Sequence, residues 1–341
     1  MDLLDLEAEA KQKIDATFYD YIAGGAEDEL TLGDNEAAWS RYRLRPRVLR
    51  DVRTIDTSTT FLGARVSSPV AVAPMAMQHR ASEDGPVATA RAAAATDSLF
   101  CMGLFGAGSA KEVAAVPGAA PRWLQVYVMA DRQRSVEAIE RSAEQGYGAV
   151  VITVDVARQG NRRRDARNRW TFLQSDGQVE DPNELFDHAL TFDDIGWFCE
   201  RSPIPLVVKG VMRGDDAASC IDAGAAGVVV SNHGGRQLDG ALATADALED
   251  VVESVGDRGE VYIDGGIRRG QHVVKALAMG AQGVFVGRPV MWGLVVADQK
   301  GVEGVLRGFQ DEVERAMALC GARSIGEIDR SLLARPGRDG A

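Results

Sequence analysis

Cysteine, histidine and lysine are all scarce in this chain of 341 residues, and each shortage closes off a class of chemistry. The four cysteines, Cys101, Cys199, Cys220 and Cys320, are far apart and form no CxxC pair. Neither a disulfide framework nor a metal site is expected, and reduced thiols in a cytoplasmic protein are the plain reading. Only six of the 38 cationic residues are lysine, and 50 acidic residues leave a formal charge of -12. That balance argues against nucleic acid, whose phosphate backbone needs a basic surface. No apolar run approaches the roughly 18 residues of a membrane span. The opening "MDLLDLEAEAKQK" is acidic and helical, unlike a signal peptide, and the final "RPGRDGA" carries no peroxisomal tripeptide.

What the chain does have is a repeated alternation of short apolar runs with Ala-rich helical stretches. The runs are 70–74, 98–103, 122–128, 149–155, 205–210, 227–232, 261–266 and 283–288. Helical segments such as 83–95, 132–145, 214–224 and 269–279 lie between them, with Ser82, Asp131 and Asp215 as helix-entry residues. Strands this apolar are buried on both faces, as in a parallel sheet. Eight β-α units in succession predict an α/β fold of one domain over 1–341, a single (β/α)8 TIM barrel over 65–320. Residues 1–60 are expected to form a helical N-terminal extension.

In such a barrel the chemistry sits at the carboxyl ends of the strands. Polar residues gather there: Gln125 and Tyr127, Thr153 and Asp155, Lys209, then Ser231, His233 and Arg236, Asp264 to Gly266 with Arg268, and Gly287 with Arg288. The glycines in "DGGIRRG" and "GRP" let backbone N–H groups approach an anion on which Arg268 or Arg288 closes, the usual phosphate position of these barrels. A lysine pointing into the mouth needs an anionic partner. For Lys209 a reduced flavin supplies one, with Gln125 and Thr153 on the ring's polar edge; a Schiff-base lysine is the other reading of that position.

Arg162 and Arg236 facing one pocket call for a carboxylate, which they would hold with paired donors. His233 beside them, with Asp155 in reach of its second nitrogen, is the arrangement of a general base. A small molecule with a carboxylate and an adjacent C–OH fits both features. The other histidines, His79, His188 and His272, are read as core or surface residues.

The stretches "YDYIAGGAEDELTL", "RLRPRVLRDV", "APMAMQ", "LQVYV", "TVD", "VKGV", "SNHGGRQLD", "DGGIRRG" and "MALCGARSIGEI" together cover nearly the whole chain. By them the chain resembles the FMN-dependent L-2-hydroxy-acid oxidases and dehydrogenases, which include glycolate oxidase, lactate oxidase and the flavin domain of flavocytochrome b2. The resemblance implies an enzyme that oxidises a 2-hydroxy acid to the 2-oxo acid, with FMN as cofactor and dioxygen or another acceptor downstream. It implies His233 as base, Asp155 as its partner, and Arg236, Arg162 and Tyr21 on the substrate carboxylate. Tyr127 would bond the hydroxyl or the flavin edge, and Lys209 would sit at flavin N1 and O2. Ala73 and Ala76 would line the ring through their backbone, with Gln125, Thr153 and Ser231 on its polar groups. Asp264, Gly266, Arg268, Gly287 and Arg288 would hold ribityl and phosphate. A homotetramer is also implied.

The chain departs from that pattern in places. Gly103 and Phe105 stand where glycolate oxidase has a serine and a tryptophan. Arg163 replaces an acidic residue beside Arg162, and Asn161 a basic one. The segment 171–190 is short and acidic ("SDGQVEDPNE"), unlike the membrane-anchoring insert of mandelate dehydrogenases, and a more open mouth is expected. Met75 would add apolar lining, and Ala76 matches the oxidases where lactate monooxygenase has glycine. Two alternative functions follow: an FMN barrel acting on a larger, non-standard substrate, and an FMN-dependent isomerase, which would lack the base-and-clamp pair.

Overall fold

The computed structural model describes residues 3, 5–104, 110–170 and 185–334. Eight parallel strands close into a barrel in chain order: β1 Val70–Val72, β2 Phe100–Gly103, β3 Arg122–Tyr127, β4 Ala149–Thr153, β5 Leu206–Val211, β6 Gly227–Val230, β7 Glu260–Ile263 and β8 Gly283–Val286. The last strand pairs with the first, Val284 opposite Val70. Helices surround the sheet, so the expected TIM barrel is the fold that forms.

Alternation along each strand divides the core in two. Val72, Ile152, Val208, Val230 and Ile263 point outward and pack with the helices in the larger apolar cluster. Ala71, Cys101, Trp123, Val151, Val207, Val229, Tyr262 and Phe285 belong to a separate cluster inside the barrel. Two positions farther along the same rows stand Ala73, Gly103, Gln125, Thr153, Lys209, Ser231, Asp264 and Gly287. The barrel interior therefore changes from an apolar layer to a polar one at its carboxyl end.

The opposite end is stoppered. A hairpin of Thr59–Phe61 and Ala64–Val66 inserts the fully buried Phe61, which stacks on Tyr262 at 5.2 Å and meets Trp123 and Phe285 edge-on at 6.0 and 6.1 Å. Phe61→Ala is expected to cost about 3–5 kcal/mol, because the ring fills a space its neighbours cannot close. Urea unfolding would read this as a lowered midpoint with unchanged slope; an unshifted midpoint would mean the hairpin contributes no packing.

The N-terminal extension is helical only in part. Helices Leu6–Lys13, Ala16–Ala23 and Leu30–Ala37 and a single 3-10 turn, Ala38–Arg41, are followed by a two-residue strand, Arg43–Leu44, paired with Leu333–Ala334. Pro46 lacks an N–H and disfavours helix in the residue before it, so the helical reading fails beyond Arg41. Asp131 does cap its helix, accepting from Gln133 N at 3.1 Å. Ser82 and Asp215 do not: Asp84 precedes Gly85–Ala95, where Pro86 favours a start, and Arg213 precedes Gly214–Asp222. There Asp250 Oδ2, from another helix, accepts from Gly214 N at 2.7 Å. Among the described residues no helix is long and apolar enough to cross a membrane.

Candidate active site

The turn after β6 is the centre of the site. His233, Gly234 and Gly235 all take left-handed backbone, with φ of 59°, 65° and 75°. A β-carbon on Gly235 would stand 2.6 Å from Leu32 N, so only glycine lets the turn lie against the N-terminal extension. Ser231 Oγ accepts from His233 N at 3.1 Å, and Asn232 Oδ1 accepts from Gly235 N at 3.1 Å.

His233 Nδ1 lies 2.8 Å from Asp155 Oδ1 at the end of β4. A carboxylate only accepts, so Nδ1 carries the proton and Nε2 keeps its lone pair. Burial pushes the His233 pKa down; Asp155 pulls it up, while Lys209 and Arg162 push it down further, and the net shift is below 6.5. Burial alone would raise Asp155, but His233 and Lys209 hold it below the usual carboxylate range. The pair is thus a neutral imidazole oriented by an ionised carboxylate.

Lys209 is buried at the end of β5, where Nζ donates to Ser231 Oγ at 3.0 Å and lies 3.4 Å from Asp264 Oδ2. Burial opposes its charge, yet Asp264 and Asp155 outweigh that and raise its pKa, so the ammonium persists. Asp264 Oδ1 and Asp155 Oδ2 are buried with no hydrogen-bond partner among the described residues. Buried orphans of this kind mark places where a ligand or water belongs. Gln125 Nε2 donates to Thr153 Oγ1 at 3.0 Å in the same layer.

Cations crowd the mouth without enough anions. Arg236 donates to the carbonyls of Tyr21 and Gly24 at 2.5 and 3.0 Å, and lies over the Tyr21 ring. Its pKa is pushed down to about 10, first by burial and then by Arg162. Arg288 spends its donors on the carbonyls of Ile22, Gly24 and Gly234, at 3.0–3.1 Å. Burial, then Arg268 and Arg236, push it down to about 9. A bound anion would relieve both. Arg268 meets Glu36 at 2.7 Å; Arg162 lies 4.0 Å from Asp165, and its Nε donates to the Arg236 carbonyl at 3.4 Å.

Tyr21, Ala73, Ala76, Gln125, Tyr127, Thr153, Arg162, Lys209, His233, Arg236, Asp264, Gly266, Arg268, Gly287 and Arg288 all line one cavity over the polar layer. Asp155 stands behind His233. Ser231 is fully buried beneath the same layer, where it joins Lys209 to the His233 backbone. Burial, reinforced by Asp155, pushes Tyr127 up to about 12, so its phenol remains a donor at neutral pH. Met75 lines the cavity as expected, and its carbonyl would press on a β-carbon at Gly103 at 3.1 Å. Arg163, at the mouth, pairs with Glu27 at 2.9 Å, and Asn161 Nδ2 donates to Glu27 at 2.9 Å. Phe105 and most of the segment 171–190 lie outside the described residues.

Some supporting residues carry no signal in the sequence alone. Asn35 and Asn232 exchange amide hydrogen bonds at 2.8 and 2.9 Å, tying the extension to the β6 turn. Gln237 Nε2 donates to the carbonyls of Asp155 and Arg158 at 2.7 and 2.9 Å, and its Oε1 accepts from Gly160 N at 3.1 Å. One side chain thereby couples the loop bearing Asp155 and Arg162 to the loop bearing His233 and Arg236. Asp239 accepts from Thr31 N at 2.9 Å and Asp28 N at 3.0 Å. Asn232, Gln237 and Asp239, inside the "SNHGGRQLD" stretch, had a location that could have drawn attention; Asn35 did not.

A family profile described as FMN-dependent dehydrogenase matches residues 10–335. The chain is 41% identical to 2-hydroxyacid oxidase 1 of Mus musculus, covering 96% of this chain and 95% of that one. It is 42% identical to glycolate oxidase of Spinacia oleracea, covering 97% and 94%. It is also 42% identical to L-lactate oxidase of Nostoc sp. (strain PCC 7120 / SAG 25.82 / UTEX 2576), covering 98% of each. Among solved structures, a mandelate oxidase in complex with 3,3-difluoro-2-hydroxy-3-phenylpropionic acid has a TM-score of 0.91 at 39% identity, over 98% of both chains.

Proposed function

From a chain that belongs to the FMN-dependent dehydrogenase family, we infer an enzyme that oxidises an L-2-hydroxy acid to the 2-oxo acid. The observation that carries this reading is His233 with its bare Nε2, oriented by Asp155, beside the buried Arg236 guanidinium, which donates to the backbone carbonyls of Tyr21 and Gly24. The donor set also suits flavin mononucleotide. Gln125, Thr153 and Lys209 would meet the ring's polar edge, and the orphaned Asp264 Oδ1 would accept from a ribityl hydroxyl. Ala73 and Ala76 would face the ring, and Gly266, Arg268, Gly287 and Arg288 would hold the phosphate. When bound, FMN accepts the two electrons that leave the substrate.

The protein supplies position and a proton acceptor. Arg236 and Arg162 would hold the substrate carboxylate, with Tyr21 closing over it. That places the C–OH carbon between the cofactor seat and His233, whose Nε2 takes a proton. The imidazolium so formed faces the Asp155 carboxylate, which stabilises it. Tyr127 donates to the hydroxyl oxygen or to the flavin edge. Dioxygen is our proposed final acceptor, because relatives named oxidases make the same family. A cytoplasmic homotetramer completes the reading, and sedimentation would test the assembly.

The test is anaerobic mixing of the yellow holoenzyme with L-lactate, glycolate, L-mandelate and longer 2-hydroxy acids. Bleaching of the flavin band by one of them, reversed by air, is the expected result; a band that no acid bleaches would overturn the reading. A pH dependence follows from the base. A protonated imidazole cannot accept a proton, so activity is lost as pH falls through the His233 pKa. That pKa is shifted downward by burial, and the acid limb of kcat/KM should have its midpoint below 6.5, the ordinary histidine value. A midpoint at or above that value would contradict the assignment.

A further inference from the structure

The phosphate seat proposed above lies against a segment that has no part in that reading. The backbone of Asn35 and Glu36, near the end of the helix Leu30–Ala37, rests on the glycine turn after β7. A β-carbon on Gly266 would stand 1.9 Å from the Asn35 carbonyl oxygen and 2.8 Å from Glu36 N, so only glycine admits this approach. Asn35 Oδ1 accepts from Thr244 N at 3.2 Å, and Trp39 Nε1 donates to the Gly265 carbonyl at 3.2 Å. With the Asn35–Asn232 pair, these bonds fix where Glu36 stands.

From there the half-exposed Glu36 carboxylate meets Arg268 at 2.7 Å. Arg268 and Arg288 line the cofactor cavity, whereas Glu36 does not. Arg268 is also held without it, because its Nη1 donates to the Ile267 carbonyl at 3.1 Å. The carboxylate is felt beyond its own partner. Burial, then Arg268 and Arg236, push the Arg288 pKa down, and Glu36 is the first of the charges that pull it back up. A phosphate monoester carries about -1.5 to -2 charges at neutral pH. Two guanidinium groups would balance it, and the carboxylate beside them offsets part of their charge.

We propose that Glu36 is a specificity-determining residue for the cofactor: its carboxylate, held on Arg268, lowers the preference of the site for FMN over unphosphorylated riboflavin. The inference rests on the FMN reading of the site and deepens it. Affinity for the phosphate is set below what the two arginines alone would give. Glu36 acts through charge and not through contact with the cavity, so a neutral isostere leaves the shape of the seat intact.

The test is titration of the flavin-depleted full-length chain with FMN and with riboflavin, read by flavin fluorescence. Glu36→Gln is expected to lower the Kd for FMN about fivefold, the scale of one charge pair at contact in water. The Kd for riboflavin should not change. Glu36→Lys should lower the FMN value further, and Glu36→Asp should stay near wild type. The difference between Glu36→Gln and wild type should shrink as salt rises toward roughly 1 M, where the Debye length is about 3 Å. An FMN affinity that is unchanged or weaker in Glu36→Gln would overturn the proposal, the weaker result making Glu36 a support for Arg268. Equal tightening of both flavins, or a gain indifferent to salt, would also overturn it. None of these measurements needs turnover. A yellow protein that no 2-hydroxy acid bleaches would sink the redox reading and leave the role of Glu36 to be decided by the titration alone.

Discussion

His233→Gln is expected to slow substrate-driven flavin reduction by about 10²- to 10⁴-fold, the range for loss of a positioned general base, with the yellow holoenzyme preserved. Glutamine keeps a donor for Asp155 and comparable bulk, but its amide cannot accept a proton as Nε2 does. The proposed cofactor seat does not depend on the imidazole: Lys209 keeps Asp264 at 3.4 Å, and Arg288 keeps its carbonyl partners. The two measurements are therefore separable. Anaerobic rapid mixing reads the rate of bleaching, and the visible spectrum after gel filtration reads retained cofactor. Loss of the flavin band would make His233 a structural residue of the β6 turn. Retention of both band and rate would place the base elsewhere.

Arg236→Met should chiefly weaken substrate binding, raising apparent KM by roughly 10- to 100-fold, the equivalent of a charge-assisted hydrogen bond of about 1.5–3 kcal/mol. The burial that pushes this guanidinium down to about 10 is the reason. A buried cation whose hydrogen bonds among the described residues go to carbonyls has attraction to spare for a carboxylate, and that attraction is lost with it. Arg236 also holds the carbonyls of Tyr21 and Gly24, so the variant loosens the turn after the helix Ala16–Ala23. Arg236→Lys separates the effects, since it keeps the charge but not the paired donors. Partial recovery of KM in the lysine variant is the expected outcome. An unchanged KM in Arg236→Met would remove Arg236 from the clamp.

How much of the site was legible follows from where its information lies. Gln125, Thr153, Lys209, Ser231 and Asp264 each stand at the end of a short apolar run, and a strand's alternation is local enough to read in one pass. Arg268 and Arg288 are placed by the glycines beside them. The order of the eight strands needed no tertiary contact either, because in a parallel barrel chain order is spatial order. The limits of the helical extension were less clear, because Pro46 breaks a helix without saying what replaces it.

The amino-acid sequence by itself determined the barrel, the rim on which chemistry gathers and the residue types that meet there. Only the tertiary structure decided what each group is doing. The proton on His233 Nδ1 depends on Asp155, 78 positions away. The Arg288 donors are taken up by carbonyls of the N-terminal extension and the β6 turn, and the Asn35–Asn232 pair spans 197 positions. Phe61 as the barrel's stopper and Phe186 on Tyr127 belong to the same class. The physical reason is common to all of them. Strand and helix periods arise from neighbours along the backbone, whereas charge state, tautomer and ring stacking arise from groups brought together only when the barrel closes.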